Sequence, residues 1–108
     1  MMKILAEDIK NKNQVKFILD SLKPINKYID TLEEDSFEYE NLCEEVEEVY
    51  LEVDEALVGC EEFSKENIAN ATIRRMICWD YIKGNISWDK FVSEIKKYSS
   101  KKLLINLD

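Results

Sequence analysis

The sequence predicts an all-α fold: a single-domain bundle of four to five helices with a short C-terminal tail. Apolar residues recur at alternating steps of three and four through most of the chain, the spacing that lines one face of a helix. Two Gly and one Pro in 108 residues are too few turn-formers for a β fold. A hydrophobic content of 45% is enough to bury one core, so residues 1–108 read as one domain with no room for a second.

In the first periodic segment Val15, Ile18, Leu22, Ile25, Ile29 and Leu32 hold the rhythm straight through Pro24. Proline removes a backbone donor and clashes with the preceding turn. A break at Lys23–Pro24 into two helices is therefore expected, with one kinked helix as the other arrangement that fits. The second segment, from about Asp35 to Cys60, is the clearest helix. Tyr39, Leu42, Val46, Val49, Val53, Ala56 and Cys60 form its stripe, and Cys43, Tyr50 and Leu57 widen it. Asp35 with Glu38 three residues on resembles a capping box.

Ser64 reads as the N-cap of a third helix, Lys65 to Lys83, with Phe63 and Ile68 placed to form a hydrophobic staple and Gly84 to stop it. This helix is apolar nearly all round, which predicts a central position and favours a monomer over a homodimer. Arg75 and Asp80 are its main polar interruptions, and Asp80 needs a cation or solvent. Ser87 caps the last helix, where Ile86 is placed to staple onto Phe91, and Trp88, Phe91, Val92, Ile95 and Tyr98 supply a buried face. The tail from Lys101 to Asp108 carries Leu103, Leu104, Ile105 and Leu107, enough to dock on the bundle or to form a short strand.

Charge is distributed in blocks. The chain has 23 acids and 15 bases, yet from Glu33 to Glu62 there are 14 carboxylates and no Lys or Arg, so the remainder carries 9 acids against 15 bases, a net of +6. Glu40/Glu44, Glu44/Glu47, Glu44/Glu48, Glu45/Glu48, Glu48/Glu52 and Glu52/Glu55 lie three or four residues apart on the second helix. At roughly 0.2–0.5 kcal/mol of repulsion per pair, such a face costs about 1–3 kcal/mol. Solvated faces normally mix signs. Compensation is expected either from Lys90, Lys96, Lys97, Lys101 and Lys102 or from a cationic partner. Glu40, Glu44, Glu45, Glu47, Glu48, Glu52, Asp54 and Glu55 are the candidate partner-binding residues.

The absence of histidine removes the commonest general base and metal ligand at neutral pH. Gly59 and Gly84 stand alone, so no phosphate cradle is legible, and no Ser or Cys has an identifiable base near it. No catalytic residue, metal ligand or cofactor is expected. Cys43, Cys60 and Cys78 are odd in number and widely spaced, and they read as buried free thiols. A net charge of −8 opposes direct nucleic-acid binding. No apolar run reaches signal-peptide length near Met1–Lys10 or the roughly 20 residues of a membrane span, so a cytoplasmic location off the membrane is expected.

Glu44, Glu45 and Glu48 resemble the Glu-Glu-x-x-Glu half of the site in all-α nucleotide pyrophosphatases related to MazG. The companion Glu-x-x-Asp is missing from the following helix, which offers only Asp80, whereas Mg²⁺ needs oxygens converging from more than one direction. In its small size and local acidity, and in the turn Lys83-Gly84-Asn85-Ile86-Ser87-Trp88-Asp89-Lys90-Phe91, the chain is similar to small acidic bacterial immunity proteins of the colicin and contact-dependent inhibition type. That resemblance implies a non-enzymatic inhibitor of a basic toxin, a nuclease or tRNase domain, acting by electrostatic and steric blockade. A phage-type nucleic-acid mimic that blocks a host nuclease would use the same physics.

Overall fold

The computed structural model describes residues 3–108. Among them are four α-helices: α1 (Lys12–Ile29), α2 (Phe37–Val58), α3 (Lys65–Ile82) and α4 (Trp88–Lys97), with a 3₁₀ turn at Ala6–Asp8 ahead of α1. The fold is an all-α bundle, as the periodicity predicts.

Pro24 does not break the first helix; it lies inside α1. Val15, Ile18, Leu19 and Leu22 before the proline and Asn26 and Ile29 after it are buried along one stripe. A mid-helix proline costs about 3 kcal/mol, and each buried aliphatic side chain returns about 1.5–3 kcal/mol. The stripe therefore outweighs the proline. Pro24 itself is exposed.

α2 starts one residue later than the Asp35/Glu38 capping box suggests. Ser36 is the N-cap, its side chain accepting from the Tyr39 amide at 3.1 Å, so the Asp35/Glu38 capping box does not form. Glu38 instead accepts a hydrogen bond from the Tyr28 hydroxyl at 2.8 Å, linking α1 to α2. At the other end Gly59, with φ +72°, closes the helix, and Cys60 lies beyond it, exposed rather than in the core.

Ser64 and Ser87 cap α3 and α4 as expected, each accepting from an amide three residues on at 3.1 Å. The staple at Phe63 is absent. Phe63 is 94% exposed and Ile68 46%, so neither is held by the other. α3 packs against all three other helices, in keeping with a central position, but it is not buried all round. Ile77, Cys78, Tyr81 and Ile82 face the core, whereas Ile68 and Met76 stay exposed and Asp80 meets its need for solvent.

Tyr81, Trp88 and Phe91 form an aromatic cluster with centroids 5.2–5.6 Å apart that locks α3 to α4. The Tyr81 hydroxyl donates to Asp20 at 2.6 Å and so ties the cluster to α1. The tail docks rather than pairing as a strand: Ile105 and Leu107 are buried, the Leu104 amide donates to the Leu57 carbonyl at 2.8 Å, and Asp108 pairs with Lys96.

Candidate functional site

The acidic helix has two unequal flanks, and helical spacing decides which acid lies on which. Val46, Val49, Val53 and Leu57 point into the core. Glu47 and Asp54, seven residues apart, fall on the side that meets α3. Glu40, a further seven residues back, continues that side and is exposed; Glu44, Glu48 and Glu55 fall on the exposed side opposite the core, with Glu45 and Glu52 at its edge, half-buried.

On the α3 side the charge is neutralised from within, by a residue that the sequence pattern gave no prominence. Arg74, with a side chain only 1% exposed, donates from Nε to Asp54 Oδ1 at 2.8 Å and from Nη2 to Asp54 Oδ2 at 3.2 Å. Nη2 also reaches Glu61 at 2.7 Å, and Nη1 donates to the Tyr98 carbonyl at 2.8 Å. Burial opposes a charge here. The hydrogen bonds and charges of Asp54 and Glu61 more than offset it, holding the guanidinium pKa above its ordinary value. One side chain thereby joins α2, the α2–α3 loop, α3 and the end of α4. Asp54 belongs to this internal network and leaves the partner-binding set. The available signal was register: Arg74 falls three and four residues before Ile77 and Cys78, on the buried stripe, where an arginine requires carboxylates.

Glu47 meets Arg75 at 3.7 Å, an exposed and loose pair. Glu40, Glu44, Glu45, Glu48, Glu52 and Glu55 make no ion pair among the described residues. The lysines expected to compensate are engaged elsewhere or unpaired: Lys90 binds Glu94, Lys96 binds Asp108, and Lys97, Lys101 and Lys102 make no ion pair with α2.

The unpaired face also carries apolar side chains. Phe37, at its amino-terminal end, is 78% exposed, and Leu51, among the glutamates, is 56% exposed. Beside Leu51 the N-terminal segment runs along α2. Lys3, Ile4 and Leu5 face Glu45, Glu48, Val49, Leu51 and Glu52 across a groove of about 550 Å³.

A second cleft, of about 390 Å³ between α1, α2 and α3, contains Tyr39, Cys43, Glu47, Arg75, Trp79 and Lys83. Burial pushes the Cys43 thiol pKa up, with the Glu47 charge adding to it, so the group is held protonated and is a poor nucleophile. Cys78 is buried and its pKa is raised further by desolvation. Glu44 and Glu48 point to solvent away from α3, so Asp80 does not converge on them. Among the described residues no group of three or more His, Cys, Asp or Glu is placed to hold a metal ion, and no helix is long and apolar enough to cross a membrane. No protein-family model, curated protein or solved structure matches this chain.

Proposed function

We propose that the protein is a non-enzymatic inhibitor whose α2 face binds a basic protein partner, in the manner of an immunity protein that blocks a toxin nuclease domain. One observation carries this reading: six carboxylates of α2 make no ion pair among the described residues, while the chain places its buried arginine against Asp54 and Glu61. An unneutralised face costs the free protein stability, and a cationic cleft is the surface that removes this cost on binding. Summed charge of one sign also accelerates encounter, by about 10–1000-fold at low salt. The exposed Leu51 and Phe37 within the face favour a specific protein contact, since binding energy concentrates in apolar anchors ringed by polar groups. A nucleic-acid mimic would present the same carboxylates to a different basic protein.

Affinity capture from the native host tests this reading, with Glu40→Gln/Glu44→Gln/Glu48→Gln/Glu55→Gln as the control bait. A basic, nuclease-type protein held by the natural chain and released by the control is expected. Capture that ignores the four substitutions would overturn the proposal, as would nucleotide turnover by the isolated protein that Glu48→Gln abolishes. The gene immediately upstream discriminates further: a large secreted toxin fits immunity, and a phage operon fits mimicry.

A further inference from the structure

Two polar side chains are buried among the described residues, Arg74 and Asn26, and they differ in how well they are satisfied. Every nitrogen of Arg74 has a partner. Asn26, 5% exposed, donates from Nδ2 to Asp30 Oδ2 at a long 3.5 Å, and its Oδ1 accepts from no described group. Asp30 sets that orientation, since an amide oxygen turned toward a carboxylate would be repelled. Among the described residues no side-chain oxygen without a partner is sealed from solvent, so Oδ1 keeps a narrow window. Asn26 lines the cleft of about 390 Å³ between α1, α2 and α3, and the window opens there. An acceptor held at such depth requires a donor.

The surroundings of Oδ1 decide which donor fits. Asp30 stands beside it and makes no ion pair among the described residues. The half-buried rings of Tyr39 and Trp79 wall the cleft from α2 and α3, and Ile29 and Met76 add aliphatic surface. A carboxylate, an amide oxygen and aromatic faces are together the complement of an ammonium group on an apolar body, which offers N–H donors to the oxygens and positive charge to the carboxylate and the rings. The remaining charges agree. An anion would meet Asp30, Glu47 and Asp80 against two cations, of which Arg75 is already turned to Glu47 at 3.7 Å. Lys83, the other cation, lies 5.8 Å from the centre of the Trp79 ring without closing an ion pair, and so competes weakly for the same wall.

We infer that this cleft binds a small protonated amine with an apolar body of aromatic size, its nitrogen donating to Asn26 Oδ1 and Asp30 and resting against Trp79. The volume falls within the range of small-molecule clefts, which begins at about 300 Å³. The cleft opens on the α3 flank of α2, apart from Glu44, Glu48 and Glu55, so amine binding here and partner binding by the outer carboxylates stand or fall separately.

The test titrates the whole chain with phenethylamine, followed by calorimetry and by NMR of the Asn26 side-chain amide and the two indoles. Saturable binding is expected, with shifts at Asn26 and Trp79 and little change at Trp88, which sits in the cluster with Tyr81 and Phe91. Phenethyl alcohol keeps the body and one donor but carries no charge; the trimethylated amine keeps the charge but has no N–H. Each should bind at least about tenfold more weakly. Asp30→Asn, at an exposed position that leaves the core untouched, should weaken phenethylamine by about ten- to a hundredfold. Lys83→Ala should strengthen it by about two- to fivefold. Equal binding of the alcohol or of the trimethylated amine would overturn the assignment, as would an unchanged affinity in Asp30→Asn. Shifts confined to other surfaces, or no saturable binding up to millimolar concentration, would show that only water meets Asn26 and would overturn the site.

Discussion

Arg74 on α3 clasps Asp54 on α2 through two hydrogen bonds, Nε to Oδ1 at 2.8 Å and Nη2 to Oδ2 at 3.2 Å, inside a bundle that leaves the arginine side chain 1% exposed. This pairing sorts the acidic block into a part held in the bundle's internal network and a part that makes no ion pair among the described residues. Breaking a buried pair from one side strands a charge and costs about 3–5 kcal/mol, whereas replacing the whole network with apolar or neutral groups is close to neutral. Arg74→Met should therefore lower the unfolding free energy by about 3–5 kcal/mol, and Arg74→Met/Asp54→Leu/Glu61→Gln should recover most of it. Urea unfolding measures both. A single-variant loss under about 1 kcal/mol would show that the node is solvated like an ordinary surface pair.

Pro24 sits mid-helix at a cost, so Pro24→Ala should stabilise the protein. Restoring the hydrogen bond and removing the clash recovers up to about 3 kcal/mol, and the greater freedom of the unfolded chain takes back about 0.4–1 kcal/mol. A rise in the unfolding midpoint with unchanged helical signal is the expected outcome. Destabilisation would mean that the backbone geometry Pro24 imposes is needed for packing between α1 and its neighbours.

Asp20 is the acid whose pairing with Lys16, Lys23 and the Tyr81 hydroxyl binds α1 to the aromatic cluster. Burial raises its pKa, but the hydrogen bonds from Lys16, Tyr81 and Lys23 outweigh this and bring it below the ordinary carboxylate value. A depressed folded-state pKa contributes stability above the unfolded value, about 3.9, and that contribution is lost as pH falls through the lower folded value. Asp20→Asn should thus be less stable than the natural chain at neutral pH, with the gap closing below about pH 4. A gap that persists unchanged at acid pH would assign the effect to packing.

The helices were legible because their apolar spacing and serine caps are local signals. α3 and α4 begin where Ser64 and Ser87 place them, and both the Pro24 and Asp35 expectations failed for a shared reason. Each rested on one residue's local preference, and packing along the Val15–Ile29 stripe, or a better cap one residue away at Ser36, prevailed. Local exclusion of bases marked the acidic face correctly as a block, but its division did not show. That division depends on Arg74 and Glu61 meeting Asp54 across three elements, a tertiary fact that no window of sequence contains. Phe63 and Cys60 were misplaced because both lie in the α2–α3 connection, where helical spacing says nothing about direction.

The central claim is that the outer carboxylates of α2 are held for a partner and contribute nothing to the fold. Denaturant unfolding of Glu40→Gln/Glu44→Gln/Glu48→Gln/Glu55→Gln at low and at high salt tests it most directly. Removing like charges that make no ion pair among the described residues should leave the protein as stable as before or more so, by up to about 1–3 kcal/mol at low salt, and the gain should shrink as added salt screens the repulsion. A clear loss of stability at low salt, restored toward the natural value by salt, would show that internal cations neutralise this face after all and would contradict the account.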